Sequence, residues 1–114
     1  MTSSKLISYT TREFLTENEL ELYVKMQDEI YTPAVIDEFI KSGLLRRALT
    51  KVWNKKGASK LAIIFEYKDD QSFVACQKLL EKYHHPKVKN FANTVVGTRG
   101  IVLHEFAADE FSWQ

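Results

Sequence analysis

Cysteine is nearly missing from this chain: of 114 residues only Cys76 carries a thiol. One thiol forms no intrachain disulfide and no cysteine-based zinc cluster. A small secreted domain commonly relies on several disulfides, so a reducing compartment is expected. Proline occurs twice and glycine four times, too few for a collagen-like or low-complexity chain. Long apolar runs are absent too. The longest, Leu61-Ala62-Ile63-Ile64-Phe65, is far too short to span a bilayer. The first residues, Met1 to Lys5, lead into alternating apolar and polar positions without the continuous apolar core of a signal peptide. A cytoplasmic protein with no membrane partner is therefore expected. Neither sign of charge dominates, since 16 Lys and Arg face 15 Asp and Glu for a net of +1, so bulk charge indicates no polyanionic partner.

What is present is an ordinary globular composition, 45% hydrophobic and 12% aromatic. A domain of this size buries roughly two-thirds of its unfolded surface, enough for a core without covalent staples. A single domain over residues 1–114 is expected, with its core in 5–106 and a tail at 107–114.

Lys5 to Thr11 is β-branched and aromatic and predicts a first strand. Thr16 and Glu19 have the spacing of a capping box, with Leu15 and Leu20 placed as its hydrophobic staple. A helix follows, carrying Leu20, Tyr23, Val24, Ile30 and Tyr31 on one stripe with Gln27 as a polar gap. Pro33 either kinks this helix or restarts it with Thr32 as N-cap. The second piece bears Ile36, Phe39 and Ile40, and Gly43 closes it in the left-handed conformation. Leu44 to Trp53 predicts a strand with Leu45, Arg47, Leu49, Lys51 and Trp53 on one face and Leu44, Ala48 and Val52 on the other. A polar loop around Gly57 then predicts a hairpin to the strand Leu61–Tyr67. Asp69 or Asp70 caps a second long helix with the stripe Phe73, Cys76, Leu80 and Tyr83. Pro86 starts a short helical turn, and Thr94 to Phe106 predicts a last strand in which Gly97 and Gly100 suggest a bulge or a close backbone approach.

The order β-α-β-β-α-β is the split βαβ arrangement: a ferredoxin-like α+β fold with a four-stranded antiparallel sheet and both helices on one face. A wet second face would be polar. Instead Ala62 and Ile64 oppose Leu61, Ile63, Phe65 and Tyr67 on the third strand, and the fourth strand is apolar on both sides. The simplest cover for that second face is another copy of the same sheet, so a two-fold homodimer is expected.

With Ala62 to Phe73 as its central strand-to-helix segment and Val95 to Phe106 as its closing strand, the chain resembles the dimeric α+β barrel superfamily over residues 5–106. That superfamily includes antibiotic-biosynthesis monooxygenases and haem-degrading enzymes. The resemblance implies two such sheets facing each other and leaves open a cofactor-independent monooxygenase acting on a small aromatic compound. It does not extend to the catalytic residues. No histidine precedes His84, the first strand has no asparagine, and the ring beside Pro33 is Tyr31, a weak base at neutral pH.

No other segment declares a chemistry. Gly57 stands alone, and Gly97-Thr98-Arg99-Gly100 does not join a strand to a helix, so no phosphate loop and no cofactor is indicated. No metal site is indicated either. Adjacent His84 and His85 cannot face one ion together from a helix, and a capping or surface role suits them. Cys76 lies on an apolar stripe and reads as an inert core thiol. The candidates for a ligand cavity are Tyr31, Arg47, Trp53 and His104, because an arginine among aromatic side chains holds an acidic or aromatic ligand by charge and stacking. A third reading comes from charge placement. Residues 41–68 carry eight basic side chains against Glu66 alone, a local net of +7. Such a basic hairpin resembles an RNA-binding surface, but Ala62 and Ile64 stand where that surface needs stacking aromatics, which disfavours nucleic acid as a partner.

Overall fold

Each long helix begins where a short polar side chain answers a free amide. In the computed structural model, which describes residues 5–91 and 93–108, Thr16 Oγ1 accepts from the Glu19 amide at 3.2 Å and opens α1, Glu17–Ile30. Thr32 Oγ1 accepts from Val35 and opens α2, Pro33–Lys41. Asp69 accepts from the Ser72 amide at 2.7 Å and opens α3, Asp70–Leu79. Such caps are typically worth about 1 kcal/mol each. Pro33 thus restarts the helix and does not kink it: it sits in the first turn of α2, where its missing amide costs nothing. The capping box at Thr16 is only half made, because Glu19 Oε2 is buried without a partner, and Leu15 projects into solvent instead of stapling the entry.

The strands are β1, Leu6–Phe14; β2, Leu44–Lys51; β3, Ser59–Tyr67; and β4, Asn93–Ile101. They form one antiparallel sheet in the order β2-β3-β1-β4, the ferredoxin-like topology expected. β1 runs three residues past its predicted end. β2 and β4 stop short of Trp53 and Phe106. No bulge forms at Gly97 or Gly100, where the β1–β4 register is continuous from Leu6↔Ile101 to Phe14↔Asn93. The irregularity lies in β2 instead. Leu44 pairs with Tyr67 while Arg46 pairs with Glu66, so one residue is inserted between them. This insertion turns Leu44 to the same side as Arg47 and Leu49, correcting the strict alternation that placed it opposite.

The helices cover one face of β1, β2 and β3, and the core there is closed by Tyr23, Phe39, Leu61, Tyr67 and Cys76, all fully buried. Gly43 makes the sharp passage from α2 to β2. Its φ is +105°, and a Cβ there would meet Ser72 Oγ at 2.0 Å, so neither the conformation nor the space admits a side chain.

The end of the second helical segment departs furthest from expectation. After α3 the chain makes a π-helical turn, Leu80–His84, closed by the His85 amide bonding to the Leu80 carbonyl, and then a short α4, His85–Val88. Cys76, Leu80, His84 and Val88 are all buried at a constant spacing of four. A 3.6-residue helix would rotate the later ones out of the core, and the wider π turn keeps them on one line. Tyr83, expected inward, lies at the margin and donates to Glu38. His84, expected at a cap or on the surface, is only 4% exposed. Among the described residues no helix is long and apolar enough to cross a membrane. The tail aromatics Phe111 and Trp113 lie outside the described residues.

Candidate functional site

The register of the sheet brings the site together. On the helix-facing side one row across the strands reads Arg47, Phe65, Ser8 and Arg99; the next reads Leu49, Ile63, Thr10 and Gly97; the third Lys51, Leu61, Arg12 and Val95. Arg47 and Arg99 therefore stand on opposite edge strands of one row, about 14 Å apart at the backbone by strand spacing. Arg12 stands two rows along from both, on the strand between.

Between these rows and the helices lies a cavity of about 350 Å³. Its wall includes Arg12, Arg47 and Arg99 with Tyr23, Tyr31, Phe65, Tyr67 and His84. No Asp or Glu contributes to that wall, and none of the three arginines makes an ion pair among the described residues. Two of them are held in place by neutral partners. Arg47 Nη2 donates to Gln27 Oε1 at 2.7 Å, and its guanidinium lies 4.1 Å over the Tyr31 ring. Arg12 Nη1 donates to Asn93 Oδ1 at 3.0 Å, with its guanidinium 5.2 Å from the Tyr23 ring centre. Gln27 is the polar gap in the α1 stripe: its Oε1 is answered by Arg47, while its Nε2 is buried without a partner. Phe65 and Tyr67, two residues apart on β3, are stacked on each other, with rings within 2° of parallel and centres 5.8 Å apart.

The upper wall holds the second polar group. Tyr23 Oη and His84 Nε2 are 2.8 Å apart in the buried interior. Burial pushes the Tyr23 hydroxyl up to about 12, so it stays protonated. Burial, reinforced by the Arg12, His85 and Arg47 charges, pulls His84 down to about 3, so the imidazole is neutral at pH 7. Burial also raises Tyr31, against the opposing pull of Arg47, and raises Tyr67. Five residues of the wall each carry a buried polar atom without a hydrogen-bond partner: Arg12 Nε, Arg47 Nε, Tyr31 Oη, Tyr67 Oη and His84 Nδ1. A buried polar atom left unanswered is costly, and these atoms belong to residues gathered around one cavity.

Of the residues picked out from the sequence, Tyr31 and Arg47 meet in this wall. Trp53 does not. β2 ends before it, and the ring is 91% exposed beside the hairpin loop. His104 also lies elsewhere, because β4 ends at Ile101 and His104 follows it as an exposed residue. Arg12, Arg99, Tyr23 and His84 were not singled out. Arg12 and Arg99 become visible only through cross-strand pairing. For His84, the signal available was the run of buried-type residues at a spacing of four. Among the described residues no group of three or more His, Cys, Asp or Glu is placed to hold a metal ion. The basic stretch is also partly used internally: Arg47 faces the cavity, Lys51 pairs with Glu17, and Lys41 pairs with Asp37.

Known structures share this fold. A dimeric ferredoxin-like protein from an uncultured marine organism is 29% identical, with 91% of this chain and 99% of that one covered and a TM-score of 0.81. A second protein of the same description, also from an uncultured marine organism, is 26% identical over 91% of this chain and 100% of its own, with a TM-score of 0.82. SnoaB, a cofactor-independent oxygenase from Streptomyces nogalater, shows the same fold at 13% identity, covering 95% of this chain and 100% of that one with a TM-score of 0.54. No curated protein matches the sequence. A family described as a domain of unknown function (DUF6974) matches residues 3–102, and the chain belongs to that family.

Proposed function

We propose that this chain forms a homodimer through the outer face of its sheet and binds a small acidic aromatic ligand in the cavity between sheet and helices. The observation that carries the ligand is the convergence of Arg12, Arg47 and Arg99 on a cavity whose wall, among the described residues, includes no carboxylate. Arg12 and Arg47 are half-buried and Arg99 is exposed at the rim, and an anion in the cavity would take up their directed N–H donors. The rings of Tyr23, Tyr31, Phe65 and Tyr67 in the wall suit an aromatic ligand, adding ring contacts to charge. A volume of about 350 Å³ accommodates a molecule of one or two rings.

Two observations support the dimer. The outer face carries Ile7, Tyr9, Ala48, Ala62, Ile64 and Val96 among Thr11, Thr50 and Thr98, with Tyr9 48% and Val96 58% exposed. Exposed apolar patches of this kind mark interaction surfaces. The two marine proteins sharing this fold are themselves described as dimeric. A cytoplasmic location agrees with the lone thiol, Cys76, being buried and free of any disulfide.

Isothermal titration calorimetry with benzoate and naphthoate, against the corresponding neutral amides, tests the ligand class. The carboxylates bind and the amides do not if the reading is right; equal affinity for both overturns it. Sedimentation velocity at micromolar concentration tests assembly, and a monomeric mass overturns the dimer. A narrower reading, oxygenation of such a ligand without a cofactor, is supported by the fold shared with the Streptomyces nogalater oxygenase. Oxygen uptake in the presence of a bound phenolic acid tests it, and no uptake above the protein-free rate rejects it.

A further inference from the structure

The arginines of the cavity account for a charge on the ligand, but they leave the Tyr23 and His84 pair without a use. That pair is built with care by the fold. The π-helical turn Leu80–His84 is what brings the imidazole inward, and the ring stands edge-on to Tyr23 at 5.9 Å between centres. Its Nε2 lies 2.8 Å from the Tyr23 oxygen, while its Nδ1 is buried with no partner. Which of the two atoms donates in this contact is set by the imidazole tautomer.

We infer that Tyr23 is a positioning residue that fixes the tautomer of His84: the Tyr23 hydroxyl donates to Nε2, the ring proton sits on Nδ1, and Nδ1–H is offered to an acceptor oxygen of the ligand. A neutral imidazole has one donor and one acceptor nitrogen, and the hydrogen bond made by one decides the other. A phenol kept protonated by burial is a donor that Nε2 answers with its lone pair. The resulting Nδ1–H is an uncharged donor, distinct from the guanidiniums, and selects a second oxygen on the ligand in addition to its carboxylate. The ligand class is thereby narrowed to aromatic acids that carry a carbonyl or comparable acceptor away from the acid group. A site that hydrogen-bonds such an oxygen rejects the analogue lacking it, because the buried donor is then left unanswered.

This inference rests on the cavity being a ligand site, and the test separates the two. Calorimetry of the full chain compares 3- and 4-acetylbenzoate with 3- and 4-isopropylbenzoate, which match in shape and lack only the carbonyl. At least one acetyl isomer is expected to bind about tenfold or more tightly than its isopropyl partner, the scale set by an unanswered buried donor. In Tyr23→Phe, where the tautomer is released, that ratio collapses toward one. His84→Asn, whose amide nitrogen occupies the place of Nδ1, retains part of the preference. His84→Gln, whose amide reaches the place of Nε2, loses it. Nitrogen-15 NMR of the unmutated protein reads the tautomer directly, so the claim stays testable if a variant fails to fold. A ring proton found on Nε2, or equal binding of acetyl and isopropyl probes, overturns the inference and leaves the acidic-ligand reading standing. Binding of none of the four probes overturns both.

Discussion

Both faces of the sheet mix polar and apolar residues, and they mix them differently. The helix-facing side carries the core residues Leu61, Ile63, Phe65 and Tyr67 and, around a cavity, Arg12, Arg47, Arg99, Ser8 and Thr10. The face turned away from the helices holds Ile7, Tyr9, Ala62, Ile64 and Val96. A buried face turns polar when it has a ligand to receive, and an outward face turns apolar when it has a surface to meet. In the proposed function the inner face serves binding and the outer assembly. Substitutions should separate the two.

The sharpest break is Ile64→Glu at the middle of the outer face, where Ile64 pairs across to both Ala48 and Tyr9. An unpaired carboxylate in a sheet-to-sheet contact costs about 3–5 kcal/mol. Sedimentation is expected to show a monomer, with the far-ultraviolet circular dichroism of the subunit unchanged. If the variant stays dimeric, the outer face is not the contact.

Next in size is an effect confined to the inner face. His84 is neutral in the folded chain down to about pH 3, whereas an unfolded histidine takes its proton near 6.5. The unfolded state thus binds more protons below neutrality, and stability is lost as pH falls from 6.5 toward 3. The loss is on the order of 4 kcal/mol across that window. Arg12, Arg47 and His85 all push in the same direction. Urea denaturation at stepped pH should show this slope in the unmutated chain and a shallower one in His84→Gln.

Arg47→Met tests whether the two faces are independent. The variant removes the guanidinium above Tyr31 and its bond to Gln27 while keeping a long apolar stem. Benzoate affinity is expected to fall roughly 10- to 100-fold, the range of a charge-assisted hydrogen bond, with the sedimentation coefficient unchanged. The smallest effect belongs to a residue on neither functional surface. Trp53→Ala, at an exposed ring beside the hairpin loop, should shift the denaturation midpoint by no more than about 0.5 kcal/mol and leave both binding and mass unaltered.

The places where sequence reading failed share a cause. Alternation and the 3.6-residue period assume regular elements, and the site is built from two irregular ones. The insertion between Leu44 and Arg46 changes which β2 side chains face the helices, and no residue there announces a bulge. The π turn at Leu80–His84 changes which of Tyr83 and His84 faces in, and the regular period chose Tyr83. Irregularities of this kind recur at functional sites because they re-aim single side chains without disturbing the element. Where the elements are regular the reading was close. The caps at Thr16, Thr32 and Asp69, the turn at Gly43 and the apolar second face of β3 were each legible from residue type and spacing.

The sequence by itself determined the element order and the distribution of apolar residues to both sides of the sheet, since those follow from local propensity and a period of two. Only the tertiary structure decided that Arg12, Arg47 and Arg99, up to 87 positions apart in the chain, stand around one space with Tyr23 and His84. Cross-strand register and a single widened helical turn set that meeting, and both are settled by packing between distant segments.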